Sequence, residues 1–301
     1  MSGGRRLIAL VRALEKSTLP ADIVVADNGL PAETLTRLAA TSASVLSMGS
    51  NRGFGAAVNA VARGARADVL LVINDDVTPF PGFEEALAAR AAAGASMVAG
   101  VLLQRNRPDH VETAGIVLDR LHSPYDYLYD EPASCLDGQA PAPPLGPSGG
   151  AAAYRTADFL KVGGFDEALF AYGEDVDLAL RLYAAGARCE LAPDARAVHE
   201  TSATLGHASL QKAKLVGFAR GYLMRKYGIL RHPVLGPGAL AIEGAAGILL
   251  SLRHHSFVPL QARLRGIREC HARQPPPPRS ALTQPLAAGL RRRYVRARPL
   301  A

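Results

Sequence analysis

The chain has no tryptophan, three cysteines in 301 residues and only 6% aromatic residues. Cys135, Cys189 and Cys270 lie far apart with no C-x-x-C pair, which argues against a disulfide framework or a zinc site and suits a reducing compartment. Long apolar runs are missing too. After Arg5 and Arg6, the apolar run 7–11 is shorter than a signal-peptide core, so nothing directs export. The weakly polar stretch 235–252 is interrupted by Glu243 and by Gly236, Pro237 and Gly238, a poor pattern for a spanning helix, and reads as interfacial or buried. Acidic residues are the minority, 27 against 34 Lys and Arg, for a net charge of +7. The excess is concentrated in RLRGIR (263–268) and RRRYVRAR (291–298), where it could meet phosphate or anionic lipid. What remains is 49% hydrophobic and 20% charged, too apolar to be disordered and long enough for one large α/β domain with appendages.

Apolar positions in 7–14 recur at helical spacing, and IVVA then reads as a buried strand ending on Asp27, Asn28 and Gly29. A helix over 31–40, a weak strand at 44–47, the loop NRGFG (51–55), a helix to Ala65 and the fully apolar strand VLLVI (69–73) follow. Strands of continuous hydrophobicity alternating with helices predict a mostly parallel sheet covered on both faces. Ligands of such sheets bind beyond the carboxyl ends of the strands, where Asp27 and Asn28 share a rim with Asn74, Asp75 and Asp76. The stretch 132–150, rich in Pro, Gly and Ala, suits a long mobile loop over that rim. Beyond it come the small-residue segment GGAAA, a helix near 156–162, the turn GGFDE, an amphipathic helix from Glu174, a strand near 188–192, and His199.

The chemistry rests on where carboxylates fall. Asp75 and Asp76 follow five apolar strand residues and could hold a divalent cation and diphosphate oxygens, although Asn-Asp-Asp reads equally as a polar turn. In YGEDVDLALRLYAAG, about 100° per residue places Asp175 on the inward face with Leu178, Ala179 and Leu182, and a carboxylate there needs a reason. Asp177 faces about 200° away beside Arg181 at i,i+4 and reads as half of a solvated ion pair.

VVADNGL, NRGFGAAVNA, LLVINDD, GGAAAYRTADFLKVGGFDEALFAYGEDVDLALRLYAAG and PDARAVHE, in that order and spacing, resemble glycosyltransferase family 2, particularly its rhamnosyltransferase-like branch, over about residues 20–230. The resemblance implies an A-type, nucleotide-diphosphate-sugar-binding fold and inverting transfer from an activated sugar. Asp27, with Asn28 beside it, would contact the nucleobase, and Asn51, Gly53 and Gly55 would line the nucleotide pocket. Asn74, Asp75 and Asp76 would stand at the family's Asp-x-Asp, with Asp76 nearest a Mg²⁺ or Mn²⁺ ion. Asp175, from the Glu-Asp pair Glu174–Asp175, would be the general base. Gly149 and Gly150 would let backbone approach the sugars, or serve only loop flexibility; His199 would complete the metal shell, or be structural.

These readings divide the chain into a catalytic domain (1–230), a helical, membrane-interfacial extension (231–274), and a Pro break with a disordered basic tail (275–301). The expected partners are a nucleotide-diphosphate sugar and a glycan or lipid-linked acceptor, with peripheral contact to an anionic membrane and no nucleic acid. The expected location is cytoplasmic, at the inner membrane face. The resemblance also exposes a departure: the family opens with an apolar strand before its first helix, and this sequence starts in the helix. In-frame codons upstream of Met1 encoding about 10–30 residues with an apolar run are therefore expected, since a buried parallel strand requires one. The alternative is a non-catalytic nucleotide-sugar- or glycan-binding homologue with an incomplete sheet. A nucleotidyltransferase ranks last, because no Gly-rich, Lys- or Arg-bearing loop follows the first strand.

Overall fold

The structure is a computed structural model that describes residues 2–138, 141–200 and 209–282. The chain opens with α1 (Ser2–Leu14), β1 (Val24–Asp27), α2 (Ala32–Leu38), β2 (Ser44–Ser47) and α3 (Phe54–Gly64). It continues through β3 (Val69–Ile73), β4 (Val77–Pro79), α4 (Phe83–Ala92), β5 (Met97–Gln104), β6 (Arg107–Thr113), β7 (Ile116–Leu118) and β8 (Pro124–Asp126). Then come β9 (Ala151–Arg155), α5 (Thr156–Lys161), α6 (Glu174–Ala184), β10 (Cys189–His199), α7 (Leu210–Lys226), α8 (Leu235–Arg253) and α9 (Val258–Glu269).

The main sheet has the order β3-β9-β5-β10-β4, with β6 added to β5. Side chains alternate across it with the two-residue period of a strand. Met97, Ala99, Val101, Ala152 and Tyr154 enter one core with Phe159, Phe165 and Leu178, whereas Val98, Leu102, Ala151 and Ala153 enter the other with Phe83 and Leu87 of α4. Helices therefore cover both faces, as an α/β fold requires. The expectation of a mostly parallel sheet needs correction. β10 runs parallel to β5, but the pairs β3–β9, β5–β9, β5–β6 and β4–β10 are antiparallel. The cause is the GGAAA segment, whose alanines form the interior strand β9, threaded between β3 and β5 against their direction.

Two further expectations change. The segment 132–150 is not a free loop over the rim: Leu136 and Leu145 are each 3% exposed, and Gly146 bridges to Ile116. Its apolar side chains anchor it to the core. Nor do the prolines at 275–278 end the packed structure, because the backbone N–H of Gln274 donates to the Lys226 carbonyl at 2.8 Å and Ala281 is 1% exposed. Pro278, at φ −65° and ψ 154°, is extended in the manner of polyproline, which needs no internal hydrogen bonds. The basic segment 291–298 lies outside the described residues.

The first two strands stand apart. β1 pairs in parallel with β2, and among the described residues neither pairs with the main sheet. Leu7, Ile8, Val11, Val25 and Leu38 make a separate small core beneath them. Val24, Val25 and Ala26 of β1 and all of β3 line one continuous cleft, so the free edges of β1 and β3 both open onto it.

Candidate active site

The rim is set by strand register. Where β4 leaves the turn after β3, His199, the last residue of β10, pairs with Val77. The next peptide closes the contact, with the Glu200 N–H donating to the Asp76 carbonyl at 2.9 Å. His199 Nε2 thereby lies 3.1 Å from Asp76 Oδ1, and its Nδ1 lies 3.1 Å from Glu112 Oε1 on β6. Burial opposes charge on His199, yet the hydrogen bonds to Asp76 and Glu112 outweigh it and hold its pKa up to about 10. Asp75, beside them, is raised by burial and by the charge of Asp76, with Arg6 acting against the rise.

Across the cleft, α6 begins at Gly173 (φ 85°) with Glu174 and Asp175 in its first turn. Asp175 Oδ1 accepts from the Val176 N–H at 2.8 Å, and Oδ2 accepts from the Gly149 N–H at 3.4 Å. Burial lifts the Asp175 carboxyl to about 6, the two backbone donors holding back part of the rise. Glu174, 6% exposed, is held well above the usual carboxylate range by burial and by the charge of Asp175, and its Oε2 is buried without a hydrogen-bond partner. Tyr172 joins the two halves: burial first, then the charges of Glu174 and Asp76, raise its hydroxyl pKa. Its φ of 69°, next to that of Gly173, puts two successive residues in the left-handed region, a strain that surrounding packing must hold.

The sequence-selected glycines separate by role. A Cβ on Gly149 would lie 3.2 Å from the Phe54 ring, and one on Gly150 3.3 Å from Asn74 Nδ2. Both are packed closely against neighbouring side chains of the chain itself. On the β1 side, Asn28 Nδ2 donates to the Gly53 carbonyl at 3.0 Å while its Oδ1 accepts from the Arg52 N–H at 2.8 Å, and Asn51 Oδ1 accepts from the Gly53 N–H at 3.0 Å. Asn28, Asn51, Gly53, Asn74, Asp75, Asp76, Gly149 and Gly150 all line the cleft, together with Glu174, Asp175 and His199. Two expected residues do not. Asp27 Oδ1 turns onto the Gly29 and Leu30 N–H groups at 3.0 and 2.7 Å, and Gly55 packs where a Cβ would meet Phe165 Cβ at 2.8 Å. Asp177 is also corrected: it does pair with Arg181 at 2.8 Å, but at 0% exposure and shared with Lys226 Nζ at 2.6 Å. Asp177 is buried because Lys226, the last residue of α7, and Tyr227 after it close over the side that one-helix geometry leaves open.

Two family models divide the chain between them: Glycosyl transferase family 2 matches residues 5–132, and Glycosyl transferase family group 2 matches residues 132–261. The chain belongs to glycosyltransferase family 2. It is 29% identical over 265 residues to the pre-mycofactocin glycosyltransferase of Mycobacterium tuberculosis, covering 83% of this chain and 50% of that one. It thus spans about half the length of the curated relatives it matches first. Over 45 residues, 15% of the chain and 17% of the relative, it is 49% identical to rhamnosyltransferase WbbL of Escherichia coli. Among solved structures it is similar to GalNAc-T7 with UDP, GalNAc and Mn²⁺ (TM-score 0.55, 17% identity, 82% of this chain and 51% of that one). It is similar as well to the mannosyltransferase PcManGT of Pyrobaculum calidifontis with GDP-Man and Mn²⁺ (0.52, 16%, 87% and 82%). At these identities the likeness is one of fold.

A divalent ion implied by such a fold can be tested against the residues present. Adjacent ligands of an octahedral ion at about 2.1 Å stand about 3 Å apart, and Asp76 Oδ1 and His199 Nε2 are separated by 3.1 Å. Among the described residues no group of three or more His, Cys, Asp or Glu side chains converges on one point. Asp76 and His199 would fit as two ligands of an ion that took the place of the proton now shared between them, its other positions belonging to water and phosphate, the usual arrangement where substrate brings the phosphates. Glu112 and Tyr172 were missed from sequence. A lone acid inside the apolar run VETAGIVL was the available signal for the first, and an aromatic directly before Gly173–Glu174–Asp175 for the second.

Proposed function

We propose that the chain is the catalytic domain of an inverting glycosyltransferase that moves a sugar from a nucleotide-diphosphate donor to a glycan or lipid-linked acceptor of cell-surface polysaccharide or glycolipid. One observation carries the reading: Asp175, its carboxyl lifted to about 6, opens onto the same cleft as the Asp76–His199 pair. The names of the relatives and the nucleotides bound by the fold neighbours point the same way, and the short match to WbbL supports the rhamnosyltransferase-like branch.

Inversion requires the acceptor hydroxyl to attack the anomeric carbon from the side opposite the leaving diphosphate. Asn28, Asn51 and Gly53 would hold the nucleoside end of the donor. A Mg²⁺ or Mn²⁺ ion at Asp76 and His199 would neutralise charge on the diphosphate. Asp175 would take the hydroxyl proton at its carboxylate as the bond forms, a contribution of about 10² to 10⁴ in rate. The Gly149 N–H keeps that carboxylate aimed and favours its ionised form.

The membrane part of the proposal moves from the basic tail to α8. This helix has a mean hydropathy of 1.5 and is long enough to cross a bilayer by composition alone. Glu243 in its middle is 5% exposed and bonded to Arg220 and Arg263, which ties α8 to α7 and α9 instead. Its outer side leaves Ile248, Leu249 and Leu252 at 54–68% exposure, with Phe257 at 73%. With Arg253 at its end, this helix suits peripheral contact with an anionic inner leaflet.

The second reading, a binding homologue without catalysis, is favoured by the detached β1–β2 pair, whose Val24, Val45 and Leu46 are 37–41% exposed. One assay separates the two. Nucleotide sugars are supplied with Mn²⁺ and a panel of glycan acceptors, and free nucleoside diphosphate and the product anomer are followed by NMR. Acceptor-dependent release with inversion at the anomeric carbon is expected. Donor binding without acceptor-dependent release sustains the second reading.

A further inference from the structure

We propose that Glu112 is a positioning residue that orients His199 toward Asp76. The inference rests on the metal reading of Asp76 and His199. Pairing along β5 and β6 advances from Leu102↔Thr113 to Leu103↔Val111, so that one step on β5 spans two residues on β6. Glu112 is the extra residue of that bulge. Bulges bend a strand and re-aim a side chain, and are concentrated beside active sites. The β5–β6 register breaks again between Leu103 and Gln104, whereas β10, irregular between Leu191 and Arg196, pairs evenly with β5 from Arg196 to His199 at the rim. The bulge on β6 and the regular end of β10 thus meet at one imidazole.

The contacts show what the meeting does. His199 Nδ1 lies 3.1 Å from Glu112 Oε1 and Nε2 lies 3.1 Å from Asp76 Oδ1, with the Glu112 and His199 side chains 12% and 15% exposed. A carboxylate on Nδ1 keeps a proton there and leaves the Nε2 lone pair for an ion beside Asp76, fixing both tautomer and ring plane. Gln could still accept the Nδ1 proton through its amide oxygen, whereas Ala could not. The order wild type, Glu112→Gln, Glu112→Ala is therefore the signature of orientation.

The test is Mn²⁺ alone, titrated by calorimetry into the whole chain and its variants, with the ¹⁴N coupling of bound Mn²⁺ read by pulsed EPR. Wild type should bind Mn²⁺ with a nitrogen coupling that His199→Ala abolishes. Glu112→Ala should weaken binding by about 10- to 100-fold and diminish the coupling, with Glu112→Gln between them. Should Glu112→Ala fail to fold, Glu112→Gln, of equal size, decides through its affinity and coupling. Wild-type affinity and coupling in the Glu112 variants, with His199→Ala still silent, would overturn the inference and leave the metal reading intact. No binding by wild type, or unchanged binding by His199→Ala, would overturn both.

Discussion

The two sides of the cleft are built differently. Asp76, His199 and Glu112 are placed by register in a sheet whose interior strands are covered on both faces. Asn28, Asn51 and Gly53 are placed by loop hydrogen bonds above a two-stranded pair with its own small core. An isolated pair of strands is marginally stable, whereas interior strands open only with the whole domain. On the proposed reading, the reacting end of the donor would meet the rigid side and the nucleoside end the adjustable one.

Core truncation is the harshest way to break this contrast. Leu178→Ala, at a side chain 0% exposed in the main core, should cost about 2–5 kcal/mol in chemical denaturation and abolish activity. Val25→Ala, in the small core, should cost about half as much. Equal costs would mean that the two regions form one cooperative unit. Hydrogen exchange sharpens the same point: amides of β1 and β2 should exchange at least about 10²-fold faster than those of β5, and uniform protection would remove the contrast. Gly53→Ala should next separate the sites. With φ at 90° and a Cβ only 2.4 Å from the Phe170 carbonyl oxygen, it should weaken nucleotide binding while leaving Mn²⁺ affinity at Asp76 unchanged. Loss of both would couple them.

The smallest effect is on pH dependence. Asp175 titrates near 6 when folded, against about 3.9 in an unfolded chain, so the native state holds the proton more tightly. Its contribution to stability is complete below pH 4 and is lost as pH rises through 6. Asp175→Asn should therefore raise the melting temperature more at pH 8 than at pH 4. A gain independent of pH would assign the effect to packing.

Much of this was legible in sequence, and the gaps have physical causes. VLLVI and the helix from Glu174 were read at their observed positions because continuous hydrophobicity and a 3.6-residue period are strong local signals. β9 was not, since three alanines carry no period, and its antiparallel insertion depends on strands distant in sequence. Asp175 was legible from its inward face, whereas Asp177 was misread because its burial comes from Lys226 and Tyr227, about fifty residues on. Glu112 stood out as an acid inside an apolar run, but its placement against His199 depends on a bulge, which local composition does not encode.

The central claim is that Asp175 is the base facing the Asp76–His199 pair. Its most direct test is steady-state transfer by Asp175→Asn together with calorimetric donor affinity. The account expects kcat to fall by at least about 10²-fold with donor affinity nearly intact, because the lost interaction belongs to the transition state. Near-wild-type turnover by Asp175→Asn would contradict it.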